Sequence, residues 1–459
     1  MTPDLLRDSK VAVYGLAKSG VAAIRLLVEK GARVTAVDAR SPEALGATAR
    51  ELQYLGVTLV TAPPAPGLLE AHQLVVVSPG VPLALPELQA ARRAGVPVWG
   101  EVELAGRFLA HVPLFGITGT NGKSTTTALT GELFAQGGGR TFVGGNLGRP
   151  FTEAALTPEG WDALVVELSS FQLEGIDTLR PRGAALLNLT PDHIDRYADH
   201  AAYGAAKARI WRAQRDADFV VVNADDADVM RLAESAPGRV YGFSLTGQPV
   251  ADAPRLVGLA VARPGGFLFE GVGEPGEAFT LTNRALRGGH NTQNAMAAAL
   301  LARLGGVPHA AVQAGLDRYP GLPHRLESVR VLEGVEWVND SKATNVDSVL
   351  VALRAFSRDV VLIAGGKGKG APYAPMVEEG RGKVKAVLTI GQDAPLLAEA
   401  YTGVAPVHAC GTLEEAVRQA RALARAGDTI LLSPACASYD QFQNFEHRGD
   451  TFKRLVGEL

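Results

Sequence analysis

The sequence predicts an α/β protein of three successive domains. These are a Rossmann-like unit over residues 1–100, a larger P-loop-type α/β unit with a small β insert over 101–321, and a second Rossmann-like α/β unit over 322–459. Short β-branched runs alternate with alanine- and leucine-rich stretches of helical period, the pattern of parallel strands joined by crossover helices. Glycine, asparagine, serine and lysine gather just past those runs, where open α/β sheets bind ligands. A chain of 459 residues is also long enough for roughly three domains.

Composition narrows the function classes. Charged residues make up 20% of the chain and the formal net charge is -3, so neither a nucleic-acid surface nor a basic membrane patch is expected. The only cysteines, Cys410 and Cys436, are too few for a disulfide framework. The polar N-terminus lacks the apolar core of a signal peptide, and no apolar run approaches the length of a bilayer-spanning helix. A cytoplasmic protein is expected.

Residues 1–100 open with a strand, KVAVY at 10–14, then the turn Gly15-Leu16-Ala17-Lys18-Ser19-Gly20 and a helix. A second strand, Arg33 to Val37, ends at Asp38. Strand, glycine turn, helix, strand and acid is the Rossmann outline, but Ala17 replaces the glycine that lets backbone approach a pyrophosphate. Bound NAD is not expected, whereas another nucleotide across the same crevice is. A further strand, 73–77, runs into Ser78-Pro79-Gly80-Val81.

The central domain is organised by the stretch from Val112 to Thr127. An apolar strand feeds Gly119-Thr120-Asn121-Gly122, and Lys123-Ser124-Thr125 opens a helix. N–H groups of a tight turn and a helix N-terminus face an anion, lysine adds charge, and a hydroxyl can ligate Mg2+. The common GxxxxGK[ST] spacing would need glycine where Ile117 stands; the pattern here is Gly116, Gly119, Gly122, Lys123. Asn146 follows in a second glycine-rich loop, 144–148. Strand 163–170 carries one carboxylate, Glu167, read as a Mg2+ ligand or as a solvated strand end. Strand 184–189 places His193 just past the same sheet edge. Lys207 lies on a helix, 200–213, which by itself reads it as a solvated surface lysine. After strand 219–223, residues 241–283 read as a small antiparallel insert. Asn291 is expected to cap the alanine-rich helix that follows, and Asn294 offers the donor and acceptor an adenine edge requires.

The last domain has strands at 335–339, 359–364, 384–390 and 428–433, and a capping-box start at Thr412 and Glu415. Polar clusters at 340–345, 365–370 and 433–438 follow three of these strands and suggest a second substrate half-site; Cys436 reads as a packed residue. These residues alone leave open a nucleotide-binding switch without chemistry. A Rossmann oxidoreductase is a third reading, against which Ala17 and the lack of a hydride-transfer site weigh.

GTNGKST at 119–125, ELSS at 167–170, HNxxN at 290–294, the His324-Arg325 pair and DSKATN at 340–345 resemble the Mur ligase family of ATP-dependent amide-forming enzymes of peptidoglycan precursor synthesis. The resemblance spans essentially the whole chain. ELSSFQLE at 167–174, TPDHIDRY at 190–197, NDSKATN at 339–345 and LSPACASYDQFQNFEHRG at 432–449 favour the branch joining D-glutamate to UDP-N-acetylmuramoyl-L-alanine. Another Mur ligase, or a folylpolyglutamate synthase-like ligase, shares the ATP apparatus.

The resemblance implies ATP held by Gly119, Thr120, Asn121, Gly122, Lys123, Ser124, Thr125, Asn294, Arg325 and Asp340. It implies two Mg2+ ions at Ser124, Glu167, His193 and a carbamylated Lys207, with Lys123, Glu167, His193, Lys207 and Lys342 serving catalysis. Leu16, Ala17, Lys18, Asp38, Arg40 and Gly80 fall in the uridine-nucleotide site, with Asn146 and His193 toward its reacting end. Thr344, Lys369, Ser433 and Phe442, with Lys342, surround D-glutamate. The Ala17-Lys18-Ser19 turn and Ala39 depart from the family pattern in the uracil and diphosphate contacts. Small-molecule partners and a monomer are expected, with closure of the third domain completing the ATP site.

Overall fold

The apolar runs of the first hundred residues form five strands: β1 (Lys10–Tyr14), β2 (Arg33–Val37), β3 (Thr58–Val60), β4 (Leu74–Val77) and β5 (Val98–Gly100). The computed structural model describes residues 6–190, 196–248 and 256–459. All five strands pair in parallel, in the order β3-β2-β1-β4-β5. The chain leaves β1 toward β2 on one side and returns as β4 on the other, which creates the switch-point crevice of a Rossmann-type sheet. Every residue of β4 is buried, as a strand covered on both faces requires.

The central sheet has nine strands. They are β6 (Leu114–Thr118), β7 (Thr141–Gly145), β8 (Ala163–Glu167), β9 (Gly183–Leu186), β10 (Phe219–Asn223), β11 (Arg239–Ser244), β12 (Leu256–Arg263), β13 (Gly266–Glu270) and β14 (Ala278–Thr280). Their order is β14-β13-β12-β11-β10-β9-β6-β8-β7. Of the insert read over 241–283, residues 241–244 instead finish β11, which pairs parallel to β10; the antiparallel part is β12 to β14, continuous with the main sheet because β12 pairs parallel to β11. Phe267, Phe269 and Phe279 stack together on it, with ring centroids 5.0 to 5.9 Å apart.

The third sheet comprises β15 (Glu327–Leu332), β16 (Val335–Asn339), β17 (Val360–Gly365), β18 (Val384–Ile390), β19 (Val407–Gly411) and β20 (Thr429–Leu432). Its order is β15-β16-β20-β17-β18-β19, parallel except for β15. The sequence reading finds the four inner strands and misses the two edges. Both edge strands, ESVRVL and VHACG, are at best half-buried and lack the continuous apolar run of an inner strand. The helix Gly289–Leu304 starts two residues before Asn291, so Asn291 lies in its first turn and is not the N-cap; its Nδ2 donates to the Arg287 carbonyl at 3.1 Å.

The chain forms two compact units, Met1–Leu281 with Thr292–Asp317, and Thr282–Asn291 with Arg318–Leu459. No helix among the described residues is long and apolar enough to cross a membrane.

Within the first unit, two carboxylates on the helix Glu101–Phe108 join the N-terminal and central sheets. Glu103, fully buried, accepts from the backbone N–H groups of Asp177, Thr178 and Leu179, from Thr178 Oγ1 and from Arg107. Those donors hold its carboxyl below the ordinary range despite burial. Glu101 has fewer: Oε1 accepts from Thr152 N at 2.6 Å and Thr152 Oγ1 at 2.8 Å, while Oε2 is buried without a partner. Burial pushes Glu101 up to about 7.

The two residues affect stability in opposite directions with pH. Glu103 stabilises the fold above the unfolded carboxylate pKa and loses that contribution as pH falls through its lowered folded value. Glu101 binds its proton more tightly folded than unfolded, so it costs stability as pH rises from the unfolded value toward about 7. Glu101→Gln keeps an oxygen for Thr152 and removes the titration. Thermal melts from about pH 5 to about pH 8 are expected to show the wild type losing on the order of 1–3 kcal/mol relative to Glu101→Gln. Parallel curves would contradict this assignment.

Candidate active site

Four neighbouring strands, β9, β6, β8 and β7, end at one sheet edge, so the loops after them are juxtaposed by register. The loop after β6 runs into the helix Lys123–Gln136, whose N-terminus has no side-chain cap. Its first N–H groups are therefore available to an anion. Gly122 has φ +81°, and a Cβ there would overlap Asn294 Oδ1, so Asn294 packs directly under the turn. Asn294 Oδ1 also accepts from Thr126 Oγ1 at 3.2 Å.

Lys123 curls back on the loop, donating to the carbonyls of Gly119 at 2.9 Å and Thr120 at 2.7 Å. Lys207 reaches the same Gly119 oxygen at 2.8 Å from the helix His200–Ala208. It is only 1% exposed and lies over the Tyr203 ring, 4.5 Å from its centroid. The reading of Lys207 as a solvated surface lysine is therefore wrong: Tyr203, four residues before it, and Ile210 and Trp211, three and four after it, are buried with it, a stripe at helical spacing that marks its side as the core-facing one. Two ammonium groups thus share one carbonyl oxygen beside the phosphate loop.

Glu167 ends β8 and is 1% exposed, which rules out a solvated strand end. Its Oε1 accepts from Asn146 Nδ2 at 2.6 Å, and its backbone carbonyl accepts from Asn146 N at 2.9 Å. This close approach needs Gly145 at φ +96°, because a Cβ there would overlap the Glu167 carbonyl. Glu167 Oε2 is buried without a hydrogen-bond partner. A buried carboxylate oxygen left over beside a hydroxyl-bearing phosphate loop suits a hard cation such as Mg2+. Among the described residues no three His, Cys, Asp or Glu side chains form a metal cluster, so any cation here also draws on other donors. His193 lies outside the described residues.

In the N-terminal sheet the loops after β2, β1 and β4 are neighbours in the same way. Asp38 is buried, accepts from Leu16 N at 2.7 Å and forks onto Arg40 Nε and Nη2 at 2.9 and 2.8 Å. The Arg40 guanidinium holds the Asp38 carboxyl well below the usual range. Ser78 Oγ donates to the Gly15 carbonyl at 2.7 Å, tying the first turn to the Ser78–Val81 loop that carries exposed Gly80. Lys18 Nζ reaches the Gly148 carbonyl at 2.7 Å, linking this turn to the loop of Asn146.

In the second unit, β16, β20 and β17 are adjacent, which brings the three polar clusters to one edge. Asp340 Oδ2 accepts from Ser433 Oγ at 2.7 Å, and Oδ1 from Leu326 N at 3.2 Å, beside Arg325. Burial pushes Asp340 up to about 7. His290 is pushed down to about 4 by burial, with the Arg325 charge adding to it. Lys342 N donates to the His324 carbonyl, and its ammonium lies 6.0 Å from the Phe445 ring centroid. Lys369 is exposed, and Phe442 packs edge-on to His447. Thr344 N donates to the Lys342 carbonyl within the same turn. Cys436 is buried, its Sγ 3.1 Å from the Tyr373 hydroxyl, which itself donates to Asp393 Oδ2; this fits a packed residue, and burial raises its thiol.

Two residues that build these loops escape sequence reasoning. Asn188, just past β9, accepts from Asn121 N at 2.7 Å and returns Nδ2 to the Asn121 carbonyl at 3.0 Å, while its own carbonyl accepts from Thr120 N. The available signal was a lone amide at the end of the apolar run AALLN. Arg448 is 1% exposed and ties two loops together, donating to Ser341 Oγ, the Ser341 carbonyl and the Cys436 carbonyl at 2.9 to 3.1 Å.

A lysine-bearing phosphate loop, a second buried lysine and a buried carboxylate on one parallel-sheet edge define a nucleotide-dependent enzyme of the phosphate-loop α/β class. Family profiles describing a Mur ligase MurD-like N-terminal domain, a Mur ligase middle domain and a Mur ligase glutamate ligase domain match residues 9–100, 117–302 and 324–436. The chain belongs to the Mur ligase family, whose members are ATP-dependent amide ligases using Mg2+.

It is 75% identical over 454 residues to the UDP-N-acetylmuramoylalanine–D-glutamate ligase of Myxococcus xanthus, covering 99% of each chain. It is 55% identical over 458 residues to the enzyme of the same name from Anaeromyxobacter dehalogenans, covering 99% of this chain and 98% of that one. Among solved structures, the fold matches a pseudomurein peptide ligase type C from Methanothermus fervidus at a TM-score of 0.59 and 18% identity, over 98% of this chain and 99% of that one. It matches a UDP-N-acetylmuramate-alanine ligase from Thermotoga maritima at 0.58 and 18%, over the same shares.

Arg448→Met leaves two carbonyls and a hydroxyl without their charged donor. It is expected to lower stability by about 2–4 kcal/mol in denaturant unfolding. A midpoint within error of wild type would show that Arg448 does not hold these loops.

Proposed function

We propose that the protein joins D-glutamate to UDP-N-acetylmuramoyl-L-alanine, using ATP and passing through an acyl phosphate, in peptidoglycan precursor synthesis. The observation that carries the chemistry is the convergence of Lys123, Lys207 and Glu167 on the edge that holds the phosphate loop. The names of the full-length relatives support the choice of substrates.

The division of labour follows the three sheets. Residues 1–100 bind the uridine nucleotide through Leu16, Ala17, Lys18, Asp38, Arg40 and Gly80; residues 101–321 bind ATP; residues 322–459 bind the amino acid and part of ATP. Asn146 meets the reacting end of the nucleotide substrate. Gly119 to Thr125 cradle the phosphates, and Asn294, Arg325 and Asp340 complete the ATP set. Lys342, Thr344, Lys369, Ser433 and Phe442 take D-glutamate.

A carboxylate is a poor electrophile. The L-alanyl carboxylate attacks the γ-phosphorus in line, ADP leaves, and the acyl phosphate forms. The neutral amine of D-glutamate then attacks the acyl carbon, and phosphate leaves as the amide forms. The first step gathers negative charge, so cations fixed in advance lower its barrier. Lys123 supplies one, released from its two loop carbonyls toward the γ-phosphoryl. Ser124, Glu167, His193 and a carbamylated Lys207 would hold two Mg2+ ions, whose positive charge offsets that of the phosphates.

The crowding at Gly119 supports carbamylation. Two ammonium groups on one carbonyl repel, and converting Lys207 to an anionic carbamate would replace that repulsion with attraction to Lys123. The working form in this reading is a monomer in the reducing cytosol, where both cysteines stay free thiols.

Phosphate release is the test. It is expected only when ATP, UDP-N-acetylmuramoyl-L-alanine and D-glutamate are all present; equal release with L-glutamate, L-alanine or diaminopimelate, or with no amino acid, would refute the reading. Lys207→Ala is expected to lose on the order of 10²–10³ in kcat and to regain part of it with acetate or propionate. Near-normal turnover of that variant, or no rescue, counts against the carbamate.

A further inference from the structure

The amino-terminal ends of the central strands carry a second site, at the opposite edge of the sheet from the phosphate loop. A cavity of about 760 Å3 opens where the linker after helix Glu101–Phe108 enters β6, before β8, β9 and β10. Its size falls in the roughly 300–1,000 Å3 range of small-molecule pockets. Leu109, Val112, Leu114, Phe151, Leu164 and Leu179 give it an apolar floor. Strands of five residues separate it from the catalytic edge by about 16 Å.

The rim is cationic. Arg107, Arg180, Arg182, Arg215 and His111 line the cavity, with Asp218 as the single acid. Asp218 is already engaged: Arg180 forks onto it at 2.7 and 2.9 Å, and Arg215 N donates to it at 2.7 Å. Arg107 is held by Glu103 and Asp177 and lies over the Trp99 ring. The Arg182 and Arg215 side chains are exposed and make no ion pair with any described residue. Two guanidiniums without an ion-pair partner over an apolar floor match a ligand with an apolar body and an anionic head, since guanidinium forks suit carboxylate and phosphate.

We propose that this cavity binds a compact organic anion, an aromatic or branched apolar group carrying one carboxylate or phosphate. The site is independent of the catalytic edge and braces the linker between the N-terminal and central sheets.

The probe is 1-naphthyl phosphate, titrated calorimetrically into the full chain, with 1-naphthol as the neutral control. Saturable one-to-one binding is expected. It should weaken by about tenfold or more in Arg182→Glu/Arg215→Glu, by less in the neutral pair Arg182→Gln/Arg215→Gln, and with 1-naphthol. Lys123→Ala, which alters the phosphate loop, should leave it unchanged. Both arginines are on the surface, so melting temperatures of the paired variants should match wild type and confirm folding. No saturable binding, or binding that survives charge reversal within about threefold, overturns the proposal whatever Lys123→Ala does. Because the readout is binding, a failed ligase assay would leave this result interpretable.

Discussion

The N–H groups that open the helix Lys123–Gln136 must stay unsatisfied to meet a phosphate, so the turn before them has to be held from outside. Here Asn188 does this from the next strand, bonding both faces of Asn121 and the N–H of Thr120. Asn294 presses up under Gly122, where any side chain would collide with it. Lys123 and Lys207 meet at the Gly119 carbonyl. Three separate elements therefore fix one short turn, and the helix behind it begins without a cap of its own.

The order of the parallel strands carries this arrangement to the rest of the site. Loops that follow β9, β6, β8 and β7 are adjacent because those strands are, although the residues involved are far apart in sequence. The same logic places the turns of the N-terminal sheet together and gathers three polar loops in the C-terminal unit. Within that unit Arg448 acts as Asn188 does in the first, supplying a buried donor to loops that cannot satisfy their own carbonyls.

Much of this was legible in the sequence because buried parallel strands read as unbroken apolar runs and ligand loops read as glycine and amide clusters after them. Glu167 stood out as one acid in ALVVE, and its burial followed. What failed to show has a common cause. Burial of Lys207 is signalled only by Tyr203, Ile210 and Trp211 at helical spacing around it, and its adjacent alanines mask them. β15 and β19 are edge strands with polar residues interleaved. Asn188 and Arg448 act on residues 67 and 107 positions away, which no local pattern records. Asn291 illustrates the converse: the residue type suits a cap, but the helix starts earlier.

The central claim is that the assembled edge transfers a phosphoryl group to a carboxylate before the amide forms. It is tested most directly by following oxygen. With both carboxylate oxygens of the L-alanyl substrate labelled with 18O, an acyl phosphate sends one labelled oxygen into the released phosphate at each turnover and leaves the other in the amide. Released phosphate carrying one 18O per amide formed is the expected result. Unlabelled phosphate at full product yield would contradict the account.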